Sequence, residues 1–66
     1  MTIGAKIAAC RKRAGMSQEK LANELNISRQ AVSRWETGEA VPDTEKVIQL
    51  SRIFRVTTDY LLLDID

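Results

Sequence analysis

Sixty-six residues, a formal net charge of +1, one cysteine and no histidine describe one small domain spanning residues 1–66, with neither an internal disulfide nor a Cys/His zinc site. A chain this short buries only about 60% of the surface its unfolded state exposes, so an apolar share of 44% with three Gly and one Pro favours tightly packed helices over loops. The lone cysteine suits a reducing compartment, and no apolar run reaches the length of a signal peptide or a membrane span. The expectation is a soluble, cytoplasmic protein without a membrane partner.

The small net charge hides a division. Residues 1–35 hold seven bases (Lys6, Arg11, Lys12, Arg13, Lys20, Arg29, Arg34) and two acids, giving +5, while residues 36–66 hold three bases and seven acids, giving −4. Such a split is either an electrostatic footprint for a polyanion or an ordinary solvated surface that happens to segregate.

Ile3, Ile7, Cys10 and Ala14 recur at helical spacing, which predicts a first helix from Ile3 to Ala14. Gly15 supplies the left-handed residue that ends it. The Arg11-Lys12-Arg13 run complements the dipole of the last turn, and Cys10 falls on the apolar face as a small core residue. Ser17 is placed to cap a second helix whose inner face is Leu21, Ala22 and Leu25. Asn26 follows as a turn residue tolerant of positive φ, Ile27 is the apolar residue of the turn, and Ser28 caps a third helix over Arg29–Glu36.

On that third helix, at 100° per residue, Arg29, Ser33, Gln30 and Arg34 share one arc of about 140°, while Ala31, Trp35 and Val32 share the opposite one. Gly38 closes the helix, and Glu39 to Pro42 reads as a loop. Asp43 caps a fourth helix with Val47, Leu50 and Phe54 on its buried stripe and Ile48 and Ser51 beside it. A break at Arg55-Val56 leads to Thr57, the cap of a last helix carrying Tyr60, Leu61 and Leu63. No stretch alternates as a strand would, and nothing repeats. The expected fold class is all-α, five short helices around one core.

The stretch from Ser17 to Gly38 thus has the layout of a helix-turn-helix, in which the second helix enters the DNA major groove. Arg matches guanine O6/N7 and Gln matches adenine N6/N7, so an exposed face bearing both is suited to reading base edges. Trp35, Phe54 and Tyr60 are the only aromatics. Each reads as core or interface filler, which weakens any single-strand or RNA function built on stacking. An enzyme is disfavoured by the lack of histidine, of a Gly-rich phosphate loop and of paired carboxylates in a cleft; no cofactor is expected.

The segments IGAKIAACRKRAGMSQEKLANELNIS, SRQAVSRWETGEAVPD and LSRIFRVTTDYLL together resemble the Cro/C1-type (XRE-like) helix-turn-helix family of bacterial and phage regulators, over about residues 3–63. The resemblance implies a lambda-repressor-like compact bundle and sequence-specific binding of double-stranded DNA, most simply as a repressor. It also implies that Arg29, Gln30 and Arg34, with Ser33 between them, read bases. Gln18, Ser28 and Thr37 would meet phosphates, and Arg11 would pair with Glu36 while standing near a phosphate. Asn26 departs from the Gly of many members. Glu39, Ala40 and Val41 stand where some phage members carry Lys or Arg.

So few base contacts favour a homodimer on an inverted repeat, with recognition helices roughly 34 Å apart. The apolar ending Tyr60-Leu61-Leu62-Leu63-Asp64-Ile65 is the expected dimer contact, the alternative being a further domain packed on it. The rival function is a protein-interaction module, such as the antitoxin of a toxin–antitoxin pair, and an additional protein partner stays open beside DNA binding. The Arg29/Gln30/Arg34 face is the feature such a module would not need.

Overall fold

The structure, a computed structural model, describes residues 1–63. Its all-α bundle has five helices in chain order: α1 Ile3–Arg13, α2 Gln18–Leu25, α3 Arg29–Thr37, α4 Thr44–Phe54 and α5 Thr58–Leu62. Each begins at an extended residue whose side-chain oxygen accepts the backbone N–H three residues on: Thr2, Ser17, Ser28, Asp43 and Thr57. Caps of this type contribute about 1 kcal/mol each, a large share of the stability available to a domain this small.

The helix ends are equally local. Gly15, Asn26 and Arg55 are left-handed, with φ of 70°, 57° and 56°. The residue after each donates its N–H back across the turn at 3.0 Å: Met16 to Arg11 O, Ile27 to Ala22 O and Val56 to Ser51 O. This closure satisfies carbonyls that the helix leaves open. Asn tolerates the left-handed conformation well, whereas at Arg55 it costs about 1 kcal/mol. The α2–α3 turn, residues 26–28, is therefore fixed from both sides, by the Asn26 stop and the Ser28 start.

The core joins Ile7 of α1, Leu21, Ala22 and Leu25 of α2, Val32 and Trp35 of α3, Val47 and Leu50 of α4, and Leu61 of α5. α1 packs against α3, α4 and α5 together, and α2 packs against α3. At Gly4 the approach of α1 to α3 is backbone to backbone. A Cβ built on Gly4 would lie 2.0 Å from the Trp35 carbonyl oxygen, so only glycine fits there.

Two lysines bind the helices together through carbonyls rather than carboxylates. Lys6 is 1% exposed; its ammonium donates to Tyr60 O and Leu63 O and lies 5.0 Å from the Tyr60 ring centroid. Lys46 Nζ donates to Leu25 O at 3.2 Å, holding the end of α2 against α4. Cations placed at helix C-termini also meet the negative end of the dipole.

Three details differ from the sequence expectations. α1 stops at Arg13, and Ala14 is an exposed cap residue rather than the end of the apolar stripe. On α4, Ser51 is buried and Phe54 only half-buried; the serine hydroxyl donates to Ile48 O at 2.7 Å, which removes the cost of burying it. Leu63 is an extended cap residue beyond α5, 47% exposed. Asp64 and Ile65, part of the expected dimer contact, lie outside the described residues.

Candidate nucleic-acid interface

α3 buries Val32 and Trp35 and turns the other arc outward: Arg29, Gln30 and Arg34 are exposed and Ser33 is half-buried. The apolar arc is held by α1 and α2, so the polar arc stands on a rigid support rather than on a loop. Ser28 and Thr37 flank it at the two ends of the helix, both exposed. The Ser28 oxygen accepts from Ala31 N, a bond that does not use its hydroxyl proton. Thr37 Oγ1 donates to Arg34 O at 3.2 Å, committing its proton to its own helix.

Behind this face lies a chain of side-chain hydrogen bonds. Arg11 Nε donates to Glu36 Oε2 at 2.7 Å and Nη2 to Glu36 Oε1 at 3.1 Å, a two-point pair that fixes both groups. Arg11 Nη1 donates to Met16 O at 2.8 Å. All three guanidinium nitrogens are thus bonded within the protein, and the Arg11 side chain is 12% exposed. Gln18 Nε2 donates to Glu36 Oε1 at 3.1 Å, and Arg29 Nη1 donates to Gln18 Oε1 at 3.4 Å.

The electrostatics follow from these contacts. Burial pushes the Glu36 carboxyl up, but the hydrogen bonds from Arg11 and Gln18 and the charges of Arg11 and Lys12 outweigh it. The net result holds the group below the ordinary carboxylate range. The hydrogen bond to Glu36 raises Arg11 in turn, against the opposing effect of burial.

The seven bases of residues 1–35 therefore do not act as one patch. Lys6 is spent inside the bundle and Arg11 on Glu36. Lys12, Arg13, Lys20, Arg29 and Arg34 remain exposed. The links from Gln18 to Glu36 and from Arg29 to Gln18 have no signal in the sequence, because they join residues 18 and 11 positions apart through the α2–α3 angle. Among the described residues no group of His, Cys, Asp and Glu is arranged to hold a metal ion, and no helix is long and apolar enough to cross a membrane.

Known proteins are similar to this chain in sequence and fold. A family model described as helix-turn-helix matches residues 7–61. The HTH-type transcriptional regulator ImmR of Bacillus subtilis is 37% identical over 62 residues, 94% of this chain and 49% of that protein. YonR, an SPbeta prophage-derived uncharacterized HTH-type transcriptional regulator of the same organism, is 41% identical over 59 residues, 89% of this chain and 55% of its own. The chain thus spans about half the length of these relatives. A crystal structure of the P22 c2 repressor protein (Salmonella phage P22), in complex with synthetic operator 9T in the presence of Tl+, superposes with a TM-score of 0.88 at 34% identity and covers 94% of each chain. The relatives are transcriptional regulators, not enzymes. With the fold, the helix pair and the matched segment in agreement, the chain belongs to the Cro/C1-type (XRE) helix-turn-helix family.

Proposed function

We propose that this chain binds double-stranded DNA in a sequence-specific manner as a transcriptional regulator, acting as a repressor, with α3 in the major groove. The observation that carries this reading is the outward arc Arg29-Gln30-Ser33-Arg34 on a helix whose other arc is locked into the core. Arg29 and Arg34 suit guanine O6/N7 and Gln30 suits adenine N6/N7, with Ser33 filling the space between. Ser28 and the second amide N–H of Gln18 face the phosphates at the edges of the groove, and Thr37 joins them by turning its hydroxyl proton from Arg34 O to a phosphate oxygen. Arg11 supports this rim by holding Glu36; with its guanidinium nitrogens bonded to Glu36 and Met16 O, its part at a phosphate is to position the rim rather than to neutralise charge. The P22 c2 repressor's complex with an operator supports the assignment at the level of the family.

The same reading makes the chain one domain and a homodimer on an inverted repeat. Val41, Ile48, Leu62 and Leu63 are 72%, 38%, 58% and 47% exposed. They lie in the α4–α5 half, where Pro42, Thr44, Val47, Ile48, Thr58 and Leu62 line a cleft of about 250 Å³. Exposed apolar side chains around a cleft mark an interaction surface, and a second copy of the chain is the occupant that doubles the number of bases read.

Binding-site selection on random duplex DNA at stated salt tests both parts. The expected result is two inverted half-sites about one helical turn apart. Recovery of unrelated sequences refutes base reading. A single half-site, together with sedimentation as a monomer with and without DNA, refutes the dimer.

A further inference from the structure

Gln18 stands between two charged groups that each work in one sense only. The Glu36 carboxylate accepts and the Arg29 guanidinium donates. The amide nitrogen of Gln18 therefore faces Glu36, Nε2 to Oε1 3.1 Å, and its oxygen faces Arg29, Nη1 to Oε1 3.4 Å. Turning the amide over would set oxygen against a carboxylate and N–H against a guanidinium, two repulsive contacts in place of two attractive ones. Glu36 itself has no freedom to follow, because Arg11 grips both of its oxygens and is in turn anchored to Met16 O.

The geometry points to Glu36 as a remote specificity determinant: through the Gln18 amide it sets where the Arg29 guanidinium stands, and so how sharply Arg29 prefers its base. The inference rests on the DNA-reading function proposed above. Glu36 and Gln18 are positioning residues here. The Glu36 side chain is only 9% exposed and turned toward Arg11, whereas Arg29 is exposed and, without Gln18, has no described side-chain partner to steady it. A two-point contact with guanine discriminates only if the fork is already held at the right angle. An Arg free to swing meets several acceptors almost equally well.

Two substitutions separate this role from a structural one. Gln18→Met keeps the length and volume of the side chain while removing both hydrogen bonds. Glu36→Gln keeps the shape but offers Gln18 both a donor and an acceptor, so the amide is no longer forced to one orientation. Binding-site selection and competition titrations on wild type, Arg29→Ala, Gln18→Met and Glu36→Gln, with melting curves alongside, provide the test. Arg29→Ala identifies the base pair that Arg29 reads.

At that base pair Gln18→Met and Glu36→Gln should each lower the preference about five- to tenfold, a part of what a two-point contact supplies. Preference at the other positions should stay within about twofold, inside the margin expected of distant sites. Neither substitution should change the profile further in the Arg29→Ala background. Gln18→Met also loses its proposed phosphate contact, so a uniform fall in affinity accompanies its change in preference; an unchanged base preference in Gln18→Met and Glu36→Gln, whatever the uniform fall, overturns the inference. If wild type selects no consensus, the DNA-reading function itself fails, and that result is recognisable before any variant is compared.

Discussion

The carbonyl of Trp35 lies directly over Gly4, so that a Cβ at residue 4 would be 2.0 Å from the Trp35 oxygen and 3.3 Å from Glu36 Cα. The first turn of α1 thereby sets the height of α3 through backbone alone. Gly4→Ala must push the two helices apart, and overpacking of this kind costs about 3 kcal/mol. Gly15→Ala has open space around its Cβ and only its φ of 70° to oppose it, so its cost should be nearer 1 kcal/mol. Denaturant unfolding of both variants checks the ranking; equal losses would mean that the α1–α3 gap is elastic.

Base reading predicts a sequence-dependent penalty. Arg34→Ala should weaken binding to the selected site by about 1–3 kcal/mol and flatten the preference at one base pair. Because Arg34 is exposed and makes no described side-chain contact that the core needs, its melting curve should match wild type. The measurement is a competition titration of selected against random duplex. An identical loss on both would make Arg34 a phosphate contact.

The Glu36 carboxyl supplies an acid-dependent prediction. Its folded pKa lies below its unfolded value, so the folded state binds fewer protons than the unfolded one where the two differ. The stabilisation is present above the ordinary glutamate value of 4.5 and is lost as pH falls through the lower folded value. Glu36→Gln should remove this component, so wild-type and variant stabilities should converge as the solution is acidified. Denaturation curves taken between neutral and strongly acidic pH show the convergence; parallel curves would contradict it.

Lys6 makes a prediction about α5. Lys6→Met keeps the buried stem and deletes the ammonium that serves Tyr60 O and Leu63 O. Bonds from a charged donor of this kind are worth about 2 kcal/mol. The loss should be local: amide hydrogen exchange should quicken over Thr58–Leu62 and stay unchanged in α2 and α3. Uniform acceleration throughout the chain would show that the clamp stabilises the whole bundle rather than one helix.

Legibility in the sequence follows the reach of each interaction. Ser17, Ser28, Asp43 and Thr57 were readable as caps because a cap involves only four consecutive residues. Gly15 and Asn26 were readable for the same reason, through their tolerance of positive φ, and Gly38 as the residue that closes α3. Arg55 was not, since nothing in an arginine announces a left-handed backbone. The arc of α3 was legible from helical periodicity, and the structure leaves it outward as the periodicity implies.

Gly4, Lys6 and Lys46 were invisible because their partners are set by tertiary packing. A lysine serving carbonyls has the same letter as one in solvent. At the candidate site, Gln18, Arg29, Arg34 and Glu36 could be named from the family resemblance. That Gln18 links Arg29 to Glu36 depends on the α2–α3 angle, which no local pattern encodes.

The burial of Lys6 and the pairing of Arg11 bear on the ionic atmosphere of a DNA complex. Five cations, Lys12, Arg13, Lys20, Arg29 and Arg34, stay exposed in the half of the chain that carries α3. If all five displaced counterions, each protomer would release about 4.5, and the logarithm of the association constant would fall with the logarithm of salt at no more than about that slope. A count taken from the sequence, with all seven bases, gives about 6.3. The difference is the mark that one buried and one ion-paired cation leave on the salt dependence of binding.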